Sequence, residues 1–283
     1  MADDLYRRAE ALIERLERLL DPAPAAPDWD HVAFRWRSGR GLQPVRHPHR
    51  VELDDLLCME AQKAEIVRNT AQFVAGRSAN NVLLWGSRGT GKSTLVKAVL
   101  NRFAGDGLRL IEVEKQDLVN LPEIVELLYD RPERFLLYSD DLSFEADDPG
   151  YKSLKAALDG SIAAPPENVL IYATSNRRHL LPEYMRENLE SRVVDGEIHH
   201  GEGVEEKISL SERFGLWLSF HPFDQEQYLR IVDHWLAKLG SPTTDVPAIR
   251  EAALQWALKR GSRSGRVAWQ FARDRAGRRR SAE

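Results

Sequence analysis

The chain has 283 residues, of which 42% are hydrophobic and 30% are charged, and its formal net charge at pH 7 is -4. This composition is typical of a globular protein with one large domain or two smaller ones, and it argues against a membrane protein because no run of 18 apolar residues is present. The single cysteine, Cys58, excludes an internal disulfide and a C-x-x-C zinc or redox motif. Because the first residues, MADDLYRRAE, lack the apolar stretch of a secretory signal, we expect a cytoplasmic protein.

The N-terminal 27 residues combine a helical pattern with a proline-rich linker. Residues 3–20 are predicted to form an amphipathic helix, which either packs on the main domain or pairs with a partner helix. Residues 21–27 contain three prolines and cannot continue that helix. The helical prediction rests on apolar residues that recur four and three positions apart: Leu5, Ala9, Leu12, Leu16 and Leu19.

The segment from His31 to Arg50 is basic and contains two aromatic residues. It has five arginines, no acidic residue, and the side chains of Phe34 and Trp36. Two interpretations fit this pattern. The aromatic rings could stack on nucleic-acid bases between the cations, or the segment could form an edge strand on the main domain.

From residue 53 to about residue 74 the pattern is helical, and after it strand and helix patterns alternate. This alternation predicts an α/β fold with a mainly parallel sheet. Five strands are expected, at residues 82–85, 108–113, 135–139, 169–174 and 216–220. Beyond His221 and Pro222 the pattern is wholly helical. We therefore expect an N-terminal extension over residues 1–50, an α/β core over 51–221 and a small helical domain over 222–283.

The stretch LLWGSRGTGKST, residues 83–94, matches G-x-x-x-x-G-K-[ST] directly after a short apolar run. Its glycines let the backbone turn around phosphate oxygens, and the amide groups and the N-terminus of the following helix attract anions. Lys92 is expected to reach the β- and γ-phosphates of a nucleotide, and the Ser93 hydroxyl to coordinate Mg²⁺. The predicted nucleotide-binding residues here are Gly86, Ser87, Arg88, Gly89, Thr90, Gly91, Lys92, Ser93 and Thr94.

Two carboxylates, Asp140 and Asp141, follow the apolar strand at 135–139. Ligands collect at the carboxyl ends of strands in a parallel sheet, so a metal site is expected there. Asp140 is predicted to hold Mg²⁺, usually through water, and Asp141 to orient or polarise an attacking water. A solvated acidic turn is the alternative.

Residues from about 50 to 270 resemble the AAA+ superfamily of ATPases in the order of their motifs, which implies ATP as the nucleotide. The strand at 169–174 with the residues after it is similar to the sensor-1 strand, which implies that Asn176 contacts the γ-phosphate or positions water. The segment LSERFG resembles the one that carries the arginine finger, which implies that Arg213 reaches the site of a neighbouring subunit. Residues 261–266 resemble sensor 2, with Arg266 as the preferred candidate and Arg263 as the alternative.

The chain also resembles a bacterial family of AAA+ ATPases described only as a domain of unknown function. The resemblance rests on four sequence motifs, GSRGTGKST, YSDDLSF, IYATSNRRHL and SLSERFG. The resemblance implies a P-loop fold with a five-stranded parallel sheet, a C-terminal helical lid and a homo-oligomer, with a ring as one arrangement. It also implies an ATPase that remodels or loads a macromolecular partner. Many AAA+ proteins have Asp-Glu where this chain has Asp140-Asp141, and the shorter side chain leaves slow hydrolysis open.

The sequence leaves other functions and partners open. A small-molecule kinase would also use the loop at 86–93, but it gives no role to Asn176, Arg213 or Arg266. A nucleotide-dependent binding module with negligible turnover is the third alternative. The segment 259–280 has nine Lys or Arg and one Asp, so nucleic acid is a candidate partner, although a solvated basic helix explains the charge more simply.

Two smaller features have plain interpretations. His199 and His200 lie among acidic residues and lack helical ligand spacing, so we expect a solvated loop and not a metal site. The tryptophans of the C-terminal part are expected to pack in the core or the lid: Trp217, Trp235, Trp256 and Trp269.

Overall fold

A seven-stranded sheet forms the centre of the protein, which we describe from a computed structural model. The described residues are 27–144, 148–159, 166–178, 180, 192–194, 197–199, 210–241 and 245–280. The predicted helix at 3–20 lies outside them. No helix within the described part of the chain is long and apolar enough to cross a membrane.

All five predicted strands are present in the sheet, within one residue of the expected bounds. They are β3 (Val82–Gly86), β4 (Leu108–Glu112), β5 (Arg134–Ser139), β6 (Val169–Ser175) and β9 (Leu216–Phe220). They run parallel in the order β4-β5-β6-β3-β9. In β3, Val82, Leu83 and Leu84 are all buried because helices cover both faces of the sheet.

Two further strands correct the predicted count of five. Strand β1 (Ala33–Arg37) pairs parallel with β4, and β2 (Gly41–Pro44) pairs antiparallel with β1 at the sheet edge. Phe34 and Trp36 are buried in the core, so base stacking by these rings is excluded and the edge-strand interpretation is right.

The arginines of β1 are neutralised by acidic residues at the end of the neighbouring strand β4 and just after it. Arg35 pairs with Glu112 at 2.7 Å, and Arg37 pairs with Glu114 at 2.5 Å. The sequence pattern could not show this, because the glutamates lie 77 residues away along the chain.

A separate pair of short strands, β7 (Arg192–Val194) and β8 (Glu197–His199), is antiparallel. His199 therefore lies in a strand and not in the predicted loop, while His200 lies outside the described residues. Strands of three residues are too short to produce a periodic signal, which is the reason that the prediction missed them.

The helices lie in two layers and a C-terminal group. Helices α1 (Glu60–Val74) and α2 (Lys92–Phe103) pack on one face of the sheet, and α3 (Leu121–Glu126) and α4 (Pro149–Asp159) pack on the other. The C-terminal helices α5 (Gln225–Lys238), α6 (Val246–Arg260) and α7 (Gly265–Arg280) form the predicted lid. The lid shares the hydrophobic core of α1 and α2, so it borders the loop between β3 and α2.

The helical pattern that is expected from residue 53 is interrupted. A 3-10 turn covers Leu53–Asp55, and α1 begins only at Glu60. Between them Cys58 has a φ of 61°, a left-handed conformation that a continuous helix does not contain. This irregular segment lines the cavity described below.

Candidate nucleotide-binding site

The loop between β3 and α2 has a backbone that only glycine adopts without strain. Gly86, Gly89 and Gly91 have φ values of 130°, 75° and 101°. A Cβ at Gly86 would lie 2.0 Å from the carbonyl oxygen of Phe220, and a Cβ at Gly89 would lie 2.9 Å from the Ser264 side chain. The glycines thus satisfy both the turn itself and its close packing against β9 and the lid.

Lys92 begins α2 and extends into the concave side of this loop. Its Nζ donates hydrogen bonds to the carbonyl oxygens of Gly86 and Ser87, both at 2.8 Å, and to Oδ1 of Asn176 at 3.2 Å. Burial lowers the pKa of Lys92, and the nearby carboxylates of Asp141 and Asp140 act in the opposite direction. The ammonium group is therefore held where a nucleotide phosphate would enter the loop.

Ser93 and Asp140 meet across the gap between α2 and β5. The Ser93 hydroxyl donates to Oδ1 of Asp140 at 2.7 Å, and Thr174 Oγ1 donates to the same oxygen. Burial acts to raise the pKa of Asp140, but these hydrogen bonds outweigh it and the pKa lies below its ordinary value. Asp140 is thus an anion at neutral pH.

This pair of oxygen groups fits Mg²⁺. A hydroxyl and an ionised carboxylate are the hard ligands that the ion prefers, and it usually takes its remaining ligands from phosphates and water. Within the described ranges, no group of three or more His, Cys, Asp or Glu side chains is arranged to hold a metal without a nucleotide.

Asp141 has an unusual backbone conformation and several polar contacts. Its φ is 53°, which is uncommon for a residue other than glycine. Its backbone N–H donates to Thr174 Oγ1 at 2.8 Å, and its carboxylate accepts a hydrogen bond from Asn176 Nδ2. Arg88 lies 3.8 Å from the same carboxylate. Asn176 therefore connects Lys92 with Asp141.

These residues border a cavity of about 800 Å³, a size that suits a nucleotide. Its floor is the loop from Arg88 to Thr94 together with Asp140, Asp141 and Asn176. One wall is the irregular segment at 49–59. Another wall comes from the C-terminal part of the chain, through Phe223, Ile231, Trp235, Lys238, Gly265, Arg266 and Trp269.

The lid contacts both sides of the cavity. The backbone N–H of Arg266 donates to the carbonyl oxygen of Gly89 at 3.5 Å, and the Arg266 side chain lines the cavity. Arg263, the alternative sensor-2 candidate, is exposed and does not line it. On the other side, the buried Asp55 accepts a hydrogen bond from Lys238 and lies 3.3 Å from Nε2 of His234.

Three parts of the site were not identified from the sequence. Thr174 contacts both aspartates, but the sequence pattern marks it only as part of a strand. The segment at 49–59 gives no signal as a cavity wall, because its pattern is irregular. Trp235 and Trp269, which were expected only to pack, line the cavity, but they lie in different helices, so no periodic pattern relates them.

Arg213 lies away from this cavity. It follows a helical turn at 210–212, and its guanidinium pairs with Asp159 at the end of α4. Leu210, Ser211 and Phe214 around it are buried, so the segment is anchored to the core. The structure thus does not bring Arg213 to the nucleotide cavity of its own chain.

Comparison with known families assigns the chain to one of them. A family model described as "Protein of unknown function (DUF815)" matches residues 29–279. The chain belongs to the DUF815 family. A search of curated proteins found no match.

Solved structures share the fold of this DUF815 protein. The RuvB Holliday junction branch migration motor of Thermotoga maritima is 16% identical over 78% of this chain, with a TM-score of 0.51. Two point mutants of the same RuvB protein give TM-scores of 0.54 at 16% identity and 0.53 at 18% identity, over 78% and 81% of this chain. The DUF815 chain covers 63% to 65% of these RuvB chains, less than two thirds of their length. The predicted AAA+ P-loop fold is confirmed.

Proposed function

We propose that this protein binds ATP with Mg²⁺, hydrolyses it, and couples its nucleotide state to the remodelling or loading of a macromolecular partner. The observation that carries the proposal is the convergence of Lys92, Asp140, Asp141 and Asn176 on the floor of one cavity whose lid contributes Arg266. An ammonium, two carboxylates and an amide at the end of a glycine-rich loop are the groups that phosphoryl transfer to water requires.

Each residue has a role that follows from its position. Lys92 neutralises phosphate charge, and Asp140 with Ser93 holds the cation. Mg²⁺ bound with the nucleotide supplies further charge stabilisation and orients the phosphates. Asp141, positioned by Asn176, orients and polarises the attacking water. Hydrolysis is expected to be slow, because the Asp141 carboxylate reaches less far than a glutamate.

The lid offers a means to transmit the nucleotide state. Arg266 extends from the lid into the cavity, while its own backbone contacts Gly89 of the loop. A bound phosphate attracts this guanidinium more strongly when the lid is close to the core than when it is away from it. Such a difference in interaction shifts the equilibrium between the two lid positions. We infer that the lid and the assembly of subunits carry this signal to the partner.

Product analysis separates this proposal from the other two functions. The purified protein is incubated with ATP and Mg²⁺, and ADP, free phosphate and phosphorylated metabolites are measured. We expect the parent to produce ADP and free phosphate in equal amounts and the Asp141→Asn variant to produce neither. Phosphate transfer to an added metabolite extract without free phosphate would support the kinase instead, and tight ATP binding without turnover would support the binding module.

A nucleic-acid partner is proposed through the basic corner between α6 and α7. Lys259, Arg260 and Arg263 are all exposed there, whereas the N-terminal basic strand has buried aromatic rings and paired arginines. RuvB is described as a motor on Holliday junctions, but at 16% identity the shared feature is the fold, so the charge must carry this proposal.

Neutralising that corner is expected to weaken nucleic-acid binding. A Lys259→Gln, Arg260→Gln, Arg263→Gln variant should lower the slope of log affinity against log salt by about 3, because three cations no longer displace counterions. Fluorescence anisotropy with labelled DNA and RNA at several salt concentrations measures the slope.

The matched control removes three arginines that are paired with acidic neighbours, by changing Arg68, Arg102 and Arg250 to glutamine. It should bind as the parent does. No binding of the parent to single- or double-stranded DNA or RNA at low salt, with ATP present, would refute the proposal.

A further inference from the structure

The hydroxyl group of Thr174 lies between the two aspartates of the site. It donates a hydrogen bond to Oδ1 of Asp140 and accepts one from the backbone N–H of Asp141 at 2.8 Å. Thr174 is 1% exposed, so no solvent replaces either partner. One buried oxygen atom therefore contacts both the carboxylate that faces Ser93 and the backbone of the residue that follows it.

The pairing of β5 with β6 places Thr174 at this point. Tyr138 is paired with Tyr172, and Ser139 with Ala173, so Thr174 comes next to Asp140 at the end of the two strands. Residues two apart along a strand share a face, which puts Asp140 and Thr174 on the side of α2. The Thr174 hydroxyl is thus directed to Asp140 by register and not by loop conformation.

The backbone around Thr174 holds the same turn at further positions. The N–H of Leu142 donates to the carbonyl oxygen of Thr174 at 2.7 Å, and the Ser175 hydroxyl donates to the carbonyl oxygen of Leu142 at 2.8 Å. Between these anchors Asp141 has a φ of 53°, a conformation that is unfavourable for a residue with a side chain and persists only where the surroundings impose it. The bond from the Asp141 N–H to Thr174 is one of those surroundings.

We propose that Thr174 is a positioning residue that fixes Asp140 and Asp141 together, so that the cation-holding and water-orienting carboxylates keep one geometry. The proposal rests on the nucleotide hydrolysis proposed above. It adds that the separation of the two roles between adjacent aspartates depends on one hydroxyl group from the neighbouring strand. Groups that orient ligands of a metal in this way change metal affinity or activity by about 10- to 100-fold when they are removed.

The test compares Thr174→Val, which keeps the shape and removes the hydroxyl, with Thr174→Ser, which keeps the hydroxyl. For Thr174→Val we expect kcat to fall about 10- to 100-fold. In EDTA, the variant should bind a fluorescent ADP analogue with the affinity of the parent. Mg²⁺ should raise the affinity of the parent for the analogue but not that of the variant. Thr174→Ser should restore both properties to within about threefold of the parent. Thr174→Ala serves as a second hydroxyl-free variant if the valine does not fold.

Thr70→Val is the matched control, because Thr70 is a buried threonine whose hydroxyl bonds Ile66 and Tyr172 and not the aspartates. It should lower the melting temperature without changing kcat or the effect of Mg²⁺. Parental kcat and parental Mg²⁺ dependence in Thr174→Val would overturn the proposal, as would equal losses in Thr174→Ser or in Thr70→Val. If the parent binds the analogue but hydrolyses no ATP, the proposed hydrolysis fails, and the Mg²⁺ dependence of binding alone decides the role of Thr174.

Discussion

Alanine in place of Lys92 is expected to abolish nucleotide binding while the fold persists. The Lys92 ammonium makes hydrogen bonds to two loop carbonyls and to Asn176, and it is the buried cation at the base of the loop. Two charge-assisted bonds to phosphate contribute together about 3 kcal/mol, so the dissociation constant for ATP should rise at least about 100-fold. Isothermal titration calorimetry with ATP and Mg²⁺ measures the change.

Lys97→Ala is the matched control for this variant. Lys97 lies on the same helix, lines the same cavity and carries the same charge, but it is outside the phosphate-binding loop. Its removal should change ATP affinity by less than about tenfold, because it acts only through longer-range attraction. Both variants should show a parental far-ultraviolet circular dichroism spectrum. Binding by folded Lys92→Ala within about threefold of the parent would refute the assigned role.

The second large effect is expected at Arg213, which we propose completes the active site of an adjacent subunit. Arg213 does not line the cavity of its own chain, and its guanidinium pairs with Asp159. A guanidinium that reaches the γ-phosphate of a neighbour contributes on the order of 10³-fold or more to the rate. Arg213→Ala should therefore keep ATP affinity and lose turnover, as measured by calorimetry and phosphate release.

Mixing two inactive variants tests whether this contribution crosses between subunits. Asp141→Asn lacks the water-orienting carboxylate and Arg213→Ala lacks the finger, so each protein alone is inactive. In an equal mixture that assembles at random, about one interface in four joins an intact Asp141 to an intact Arg213. About a quarter of the parental activity should then return. Mixed assemblies with demonstrated subunit exchange that remain inactive, or full activity of a dilute monomer, would contradict the proposal.

Asp159→Asn distinguishes this role from a purely structural one. If Arg213 matters only because it pairs with Asp159, then loss of either partner should have the same effect on turnover. If Arg213 acts on the neighbouring site, Asp159→Asn should keep turnover within a few-fold of the parent, because an exposed ion pair contributes only about 0–1 kcal/mol to stability. The ratio of kcat values for the two variants is the deciding measurement.

The sequence by itself determined the parts of this protein whose physical cause is local. The glycine-rich loop was predictable because its glycines adopt positive φ values, which is a local requirement, and the lysine and serine follow at once along the chain. The central strands were predictable because strands covered on both faces are continuously apolar, as Val82 to Leu84 are. The acidic pair was assigned from its place directly after such a strand. The helical lid followed from periodicity.

Only the tertiary structure decided the features that depend on contacts between distant segments. The basic strand β1 joined the sheet between β2 and β4, where Glu112 and Glu114 pair with its arginines. Thr174 lies beside Asp140 because of the register between β5 and β6. The cavity walls come from an irregular segment and from lid tryptophans that no periodic pattern connects. Pairings between residues so far apart along the chain leave no trace in local patterning, because the chain brings such groups together only when its hydrophobic layers pack.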